Sequence, residues 1–374
     1  SSILHKALAG CLKRLKNTHG IQEGRFRKVM LEKGVKIIDQ SNVYQIEELR
    51  GYGAFGKVFK CRKEQTGETV AVKVFNKIRR NSARLELRAY KELSVLESDK
   101  NNLIRFFDSF IYKDHTFLVF EHLDVNLNEL VKRHNKILSV AEIRPIAEQL
   151  LVSLRALKSI GLTHTDIKPD NMMLVHSDSK PFKVKLIDFG IAIKTAKIVS
   201  TSLMQPKGYR APEVHLGLPR DEGIDMWGLG CVLVFLFIGS HLFPLNEYES
   251  MRLIVKWMGL PVNSMLENGM GRPNKLHHHL KSLNDLVIMK PYFKSPTERA
   301  DENDFINLLR KMLALNPADR IHPEDALKHK FITMEHLPGS SSDTHGKPTE
   351  SHITDQDYVS TPSTLTISEA IFHR

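Results

Sequence analysis

The sequence predicts an α+β fold of two unequal lobes, a small β-rich one followed by a larger α-helical one. Three observations carry this. Between residues 44 and 122, apolar residues alternate or run in short β-branched and aromatic stretches bounded by turn signals. After about residue 123 they recur mostly at helical spacing. No 20–50-residue period repeats along the chain, which excludes solenoids and propellers.

Residues 1–43 read as a basic arm. Residues 1–36 carry nine Lys or Arg against Glu23 and Glu32, and part of the segment has helical periodicity through Ile3, Leu4, Leu8, Cys11, Leu12 and Leu15. Such an arm is either a solvated tail or a patch for acidic partners or an import receptor. Phe26 is its only aromatic residue, so no direct binding to nucleic acid by base stacking is expected. The folded body spans 44–331, with the small lobe at about 44–122 and the larger at about 123–331. Tyr44 to Leu49, Val58 to Cys61 and Thr69 to Phe75 read as strands, the last two separated by Gln65-Thr66-Gly67. Ser82 to Glu97 has helical spacing through Leu85, Ala89, Leu93 and Leu96, and Phe117 to Phe120 is a buried strand. Ala141 to Ser159 and Asp225 to Ile238 follow as helices. In residues 338–374, 13 of 37 are Ser or Thr, a composition that cannot bury enough apolar surface to fold alone and reads as a mobile tail.

Charge and composition exclude other classes. The chain has 374 residues, a net charge of +11 and 41% hydrophobic residues, with no apolar run long enough to span a bilayer, so no membrane role is expected. The chain begins at Ser1 without a charged leader, and no secretory signal is expected. Cys11, Cys61 and Cys231 are odd in number and lack metal-ligand spacing, which favours a reducing nuclear or cytoplasmic compartment.

The chemistry concentrates in two segments. His164-Thr165-Asp166-Ile167-Lys168-Pro169-Asp170-Asn171 is followed 17 residues on by Asp188-Phe189-Gly190. Phosphoryl transfer needs an acid group at the attacking hydroxyl, a cation at the moving phosphoryl and oxygen ligands for Mg²⁺. Asp166 supplies the first and Lys168 the second; Asn171 and Asp188 offer the hard oxygen donors that Mg²⁺ prefers. His164 is expected to pack and hydrogen-bond the loop rather than react. Upstream, Gly51-Tyr52-Gly53-Ala54-Phe55-Gly56-Lys57-Val58 is a G-x-G-x-x-G-x-V pattern. Glycines let a backbone approach phosphates closely. A dinucleotide turn would open a helix here, whereas Val58 to Cys61 reads as a second strand, which favours a kinase hairpin. Val70-Ala71-Val72-Lys73 places a lysine inside an apolar strand, where it is costly unless paired. Glu86, thirteen residues on, is the expected partner, with Glu92 and Glu97 as competitors. Downstream, Tyr209-Arg210-Ala211-Pro212-Glu213 and Asp225-Met226-Trp227-Gly228 complete the set, and Arg320 is expected to pair with Glu213 in the interior. This downstream set indicates a protein substrate over a metabolite.

From about Tyr44 to Phe331 the chain resembles a eukaryotic protein kinase. Phe117 to Glu121, Ile143 to Ile146, Leu157 to Leu162, Pro181 to Lys185 and Leu216 to Pro219 resemble the homeodomain-interacting protein kinases of the CMGC group. The resemblance implies a bilobal protein-kinase fold, ATP with Mg²⁺, Ser/Thr transfer to protein substrates and transcription-related partners. It implies a nucleotide site from Arg50, Gly51, Gly53, Phe55, Gly56, Val58, Ala71 and Lys73, with hinge backbone near Glu121 to Leu123 meeting adenine and Phe120 limiting the pocket behind. Catalytic roles fall to Asp166, Lys168, Lys73 and Glu86. Lys168 accords with Ser/Thr transfer, and Arg210 matches the residue that favours proline after the target.

The chain departs from the pattern in several places. Arg50 stands where an aliphatic residue usually roofs the adenine; its stem is expected to cover the ring with the guanidinium in water. Thr165 replaces the arginine that ties the loop to an activation-segment phosphate. Ser202 sits where the family carries an activating tyrosine, with Lys207 and Arg210 as possible phosphate partners, so either Ser202 switches the segment or no loop switch operates. Gln205-Pro206-Lys207-Gly208 also differs from the usual Ser-Arg-Tyr. His277-His278-His279 reads as a solvated run. The rival to an active enzyme is a pseudokinase scaffold working through arm and tail.

Overall fold

A computed structural model describes residues 31–335, apart from 40, 54–55, 135–136, 200–203 and all of 259–294 except 283 and 286. Most of the basic arm, the Ser/Thr-rich segment, Phe55, Ser202 and the triple histidine lie outside the described residues.

The small lobe is a six-stranded antiparallel sheet, order β1-β2-β3-β4-β6-β5. Its strands are β1 (Lys36–Ile38), β2 (Val43–Gly53), β3 (Gly56–Lys63), β4 (Thr69–Phe75), β5 (Phe106–Tyr112) and β6 (His115–Glu121). Strand β1 extends the sheet into residues that sequence reading assigns to the arm: Ile37 is fully buried against Tyr44. A three-residue strand is too short to show a period, and its flanking charges mask it.

Both faces of the sheet are covered, which explains the unbroken apolar run in β6. Phe117 and Val119 join Tyr44, Ile46 and Phe59 in one cluster, while Leu118 and Phe120 face the other way into the main core. On that second face lies α1 (Arg80–Leu93), which buries Ala83, Glu86, Leu87, Ala89, Tyr90 and Leu93.

The larger lobe is built on α2 (Leu127–His134), α3 (Val140–Ser159), α4 (Pro212–His215), α5 (Gly223–Ile238), α6 (Glu247–Met258) and α7 (Pro296–Met312). Helix α3 opens with a capping box between Ser139 and Glu142. Helix α5 is apolar all round beyond Asp225, is buried from Gly223 to Phe237, and stops at Gly239 in the left-handed conformation (φ 76°). Between α3 and α4 in the chain comes the hairpin of β7 (Met172–His176) and β8 (Lys180–Leu186), whose Leu186 exchanges backbone hydrogen bonds with Asn102 and Ile104 just ahead of β5. No described helix is long and apolar enough to cross a membrane.

The expected Glu213–Arg320 pair forms in the interior. Arg320 donates from Nη1 to Glu213 Oε1 at 2.5 Å and from Nη2 to Oε2 at 3.0 Å, with both side chains 1% exposed. Its guanidinium also reaches the Gly223 and Ala314 carbonyls and lies 5.4 Å from the Trp227 ring centroid. Removing one partner strands the other charge in apolar surroundings. Glu213→Ala is therefore expected to lower unfolding free energy by about 3–5 kcal/mol in urea titration; an unchanged midpoint would show the pair to be dispensable.

Candidate active site

The cleft between the lobes collects most of the residues singled out from the sequence. Lys73 lies on β4, opposite Val58 of β3 and Leu118 of β6. Its Nζ is 2.8–2.9 Å from both Glu86 carboxylate oxygens and 2.8 Å from Asp188 Oδ1. Glu86 is the partner; Glu92 pairs with Lys194 at 3.0 Å and Glu97 with Lys100 at 2.8 Å, both near the surface. Two carboxylates thus share one buried ammonium. Burial pushes the Lys73 ammonium down, but the two carboxylates outweigh it and hold the group above its ordinary value. Burial pushes the fully buried Glu86 carboxyl up against the pull of Lys73, and opposes charge on Asp188 as well, yet Lys73 keeps Asp188 below the usual carboxylate range. Gly190 closes the turn: a Cβ there would meet Asp188 Oδ1 and Glu86 Oε2, each at 3.1 Å.

The catalytic-loop candidates converge on Asp166. Its Oδ2 accepts Lys168 Nζ at 2.9 Å and Asn171 Nδ2 at 2.7 Å, and Asn171 Nδ2 also donates to the Asp166 carbonyl at 2.8 Å. The Asn171 nitrogen is thereby spent on Asp166, leaving its amide oxygen as the atom that can ligate a cation. His164 is fully buried, as expected of a packing residue: Nδ1 accepts the Asp166 amide at 3.2 Å, Nε2 lies 3.0 Å from the Ile187 carbonyl, and the ring meets Phe189 edge-on.

Asp225 holds this loop from below, a role its place at the head of an apolar helix left unassigned in the sequence. Its carboxylate accepts the amides of His164 at 2.6 Å and Thr165 at 2.9 Å. Burial pushes its carboxyl up to about 6. Thr165 has φ 65°, an uncommon region for a β-branched residue, and its Oγ1 donates to the Ile191 carbonyl at 2.9 Å. The neutral side chain thus ties the loop to the segment after Asp188.

The roof and hinge frame the other half of the cleft. Gly56 has no room for a side chain, since a Cβ would lie 2.1 Å from the Val74 carbonyl oxygen, whereas the space at Gly51 is open. Gly53, Val58 and Ala71 lie on β2, β3 and β4, and Ala71 pairs with Phe120. Phe120 is buried among Tyr90 and Phe106 behind the hinge. The Leu123 residue is 4% exposed, and its backbone has no hydrogen-bond partner among the described residues. The Glu121 amide is not free in this way; it donates to the Arg105 carbonyl at 3.1 Å. Its carboxylate takes part in a network that sequence reading missed, accepting Lys185 Nζ and the Arg105 amide, each at 2.6 Å, while Lys185 also holds Asp99 at 2.6 Å. A lysine in an alternating strand looks solvated, so its burial left no local signal.

Arg50 corrects its expectation. The guanidinium is not left in water: Nη2 donates to the Asp124 carbonyl at 2.9 Å. Arg210, proposed to receive a phosphate, is already engaged by Glu247 at 2.7 Å and by the Met204 and Gln205 carbonyls at 3.0 Å.

Among the described residues no group of three or more His, Cys, Asp or Glu could hold a metal ion. Asn171 and Asp188 nonetheless fit a hard divalent cation that completes its shell with phosphate and water oxygens. Asp225→Asn keeps one acceptor for the two loop amides and turns an N–H₂ toward the other. It is expected to cost about 1–3 kcal/mol in chemical denaturation; equal stability would mean that the loop finds another acceptor.

The protein kinase domain family matches residues 44–332. Homeodomain-interacting protein kinase 1 of Caenorhabditis elegans is 36% identical over 85% of this chain and 43% of its own length. Homeodomain-interacting protein kinase 2 of Mesocricetus auratus is 36% identical over 87% of the chain and 31% of its own. Serine/threonine-protein kinase ppk15 of Schizosaccharomyces pombe is 34% identical over 85% of the chain and 67% of its own. The chain thus spans less than half the length of the first two relatives. With its family's motif residues gathered in one cleft, the chain belongs to the protein kinase domain family and is similar to the homeodomain-interacting protein kinases.

Proposed function

We propose that this chain transfers the γ-phosphoryl of ATP, with Mg²⁺, to Ser or Thr hydroxyls of protein substrates, at sites followed by proline. The observation that carries the transfer is the pairing of Lys73 with both Glu86 and Asp188 beside an Asp166 held by Lys168 and Asn171. A decayed site would have no reason to keep six mutually dependent polar groups in a partly dry cleft, which disfavours the scaffold reading.

When bound, ATP supplies the phosphoryl group and Mg²⁺ offsets its charge. Asp166 orients the incoming hydroxyl and accepts its proton, and Lys168, already within 2.9 Å, neutralises charge on the transferring group. Asn171 and Asp188 would hold the metal. Lys73, kept in place by Glu86, meets the phosphates, and the unpaired backbone of buried Leu123 receives the adenine. Gly51, Gly53, Gly56, Val58 and Ala71 form the roof above it.

Gln205 supports the proline preference. It adopts φ 66°, and its carbonyl is consumed by Arg210 Nη2. A substrate residue following the phosphoacceptor finds that carbonyl unavailable to its N–H, and proline alone has no N–H to strand. Substrates and partners are further proposals. Two of these relatives are named as interacting with homeodomains, and a homeodomain protein is the partner class to test first. Cys61 and Cys231 are buried free thiols, in keeping with a reducing nuclear or cytoplasmic compartment.

Radiolabelled transfer to a protein substrate tests the reaction. Asp166→Asn is expected to lower the rate about 100-fold or more; equal, background-level transfer by both proteins would favour the scaffold. In a peptide library, replacing the following proline by alanine is expected to lower kcat/KM about tenfold, the cost of one stranded N–H. Indifference to that position would remove the proline-directed reading and leave transfer itself intact.

A further inference from the structure

We propose that Arg50 is a latch across the outer edge of the nucleotide cleft, governing how fast nucleotide enters and leaves. The inference rests on the nucleotide site proposed above. Arg50 sits at a register shift in β2: Leu49 pairs with Phe59 and Gly51 with Val58, so Arg50 faces no residue of β3. Such bulges bend a strand and re-aim the side chain of the extra residue. Here the re-aimed side chain reaches a backbone carbonyl 74 residues away, with Nη2 2.9 Å from Asp124 O. Glu48 Oε2 lies 3.6 Å from Nη1 and steadies the same guanidinium.

The far end of this bond is fixed to the larger lobe. Asp124 donates its amide to the Leu174 carbonyl at 2.9 Å, and its carboxylate accepts the Ser177 amide at 3.0 Å and the Ser177 hydroxyl. One end of the tie is therefore carried by the glycine-rich hairpin and the other by β7 and the turn after it. Leu123, whose buried backbone is unpaired, immediately precedes the anchor. A purine meeting Leu123 beneath the hairpin has the tie along its flank. An aliphatic residue at this position would touch only the ring. Arg50 joins the lobes whether or not the ring is present. Its side chain is 29% exposed, so water competes for the bond and lets it open.

A latch and a roof contact differ in kinetics. Removing a roof contact accelerates release alone and weakens affinity, whereas removing a latch lowers the barrier in both directions and largely preserves the ratio. Stopped-flow fluorescence with N-methylanthraniloyl-ADP and Mg²⁺ on the full chain separates them. Arg50→Ala is expected to raise both association and dissociation rates about three- to tenfold, the worth of one partly exposed charge-assisted hydrogen bond, with Kd within about twofold. Arg50→Lys, which keeps one donor, should fall between Arg50→Ala and the parent. Ser177→Ala, which loosens the anchor without touching the cleft, should move both rates in the same direction by less. Faster dissociation with unchanged association would overturn the latch in favour of a roof contact, and so would two unchanged rates. If the parent chain itself failed to bind the probe, the nucleotide site would fall and the latch with it.

Discussion

One ammonium among two carboxylates is the constraint around which the molecule is arranged. Lys73, Glu86 and Asp188 come from a strand, a helix and a loop of the other lobe; Lys73 and Glu86 are buried, and Asp188 is partly so. Taking such charges out of water costs several kcal/mol apiece, so the arrangement persists only where every partner is in reach. That requirement sets the position of α1 against the sheet. It explains why Tyr90, one turn from Glu86, packs on Phe106, Phe120 and Phe189: the aromatic cluster fixes the helix face that delivers the carboxylate. It also places Asp188 at φ 60° with Gly190 behind it, because a side chain at Gly190 would press on both carboxylates. The charge count is uneven as well. With a single cation between them, the deeper carboxylate is the one that burial disfavours, and a divalent cation at Asp188 would relieve that imbalance rather than disturb a closed pair.

Below the cleft the loop from His164 to Asn171 is held by a different device. Many kinases fasten this loop to the activation segment through an arginine and a phosphate. In this chain Thr165 Oγ1 reaches Ile191 directly, while Asp225 captures the two amides that the turn would otherwise strand. Both contacts are neutral–neutral or carboxylate–amide bonds within the body of the protein, and neither needs an added phosphate. Arg210 points the same way, with its donors committed to Glu247 and to two carbonyls. The loop geometry is thus a property of the folded chain itself.

What could be read from the sequence follows from how chemistry constrains residue type. Lys73, Asp166, Lys168, Asn171 and Asp188 were legible because phosphoryl transfer admits few alternatives at those places, and Glu86 because an interior lysine demands a carboxylate. The Glu213–Arg320 pair was legible for the same reason. Strand β1 was not, since three residues carry no usable period. The Lys185–Glu121–Asp99 network was hidden because its members are 64 and 86 residues apart and each looks like an ordinary surface charge. Arg50 was half legible: the substitution stood out, but its acceptor is a main-chain carbonyl, which every residue possesses and no sequence pattern marks.

The two ends of the hinge are consequently held by unlike forces. At its start, Glu121 is fixed by the buried Lys185, whose side chain is 4% exposed, and by the Arg105 amide, contacts that gain strength from a low local dielectric. At its end, Asp124 is anchored to the larger lobe through backbone and Ser177, while its link upward to the hairpin is a partly hydrated guanidinium. Closing motions pivot where restraint is strongest and yield where it is weakest. With a charged clamp on buried Lys185 at one end and a partly exposed single-bond tie at the other, the proposed latch lies where restraint is weaker. The unpaired Leu123 backbone lies between the two, next to the side that can open and close at little cost.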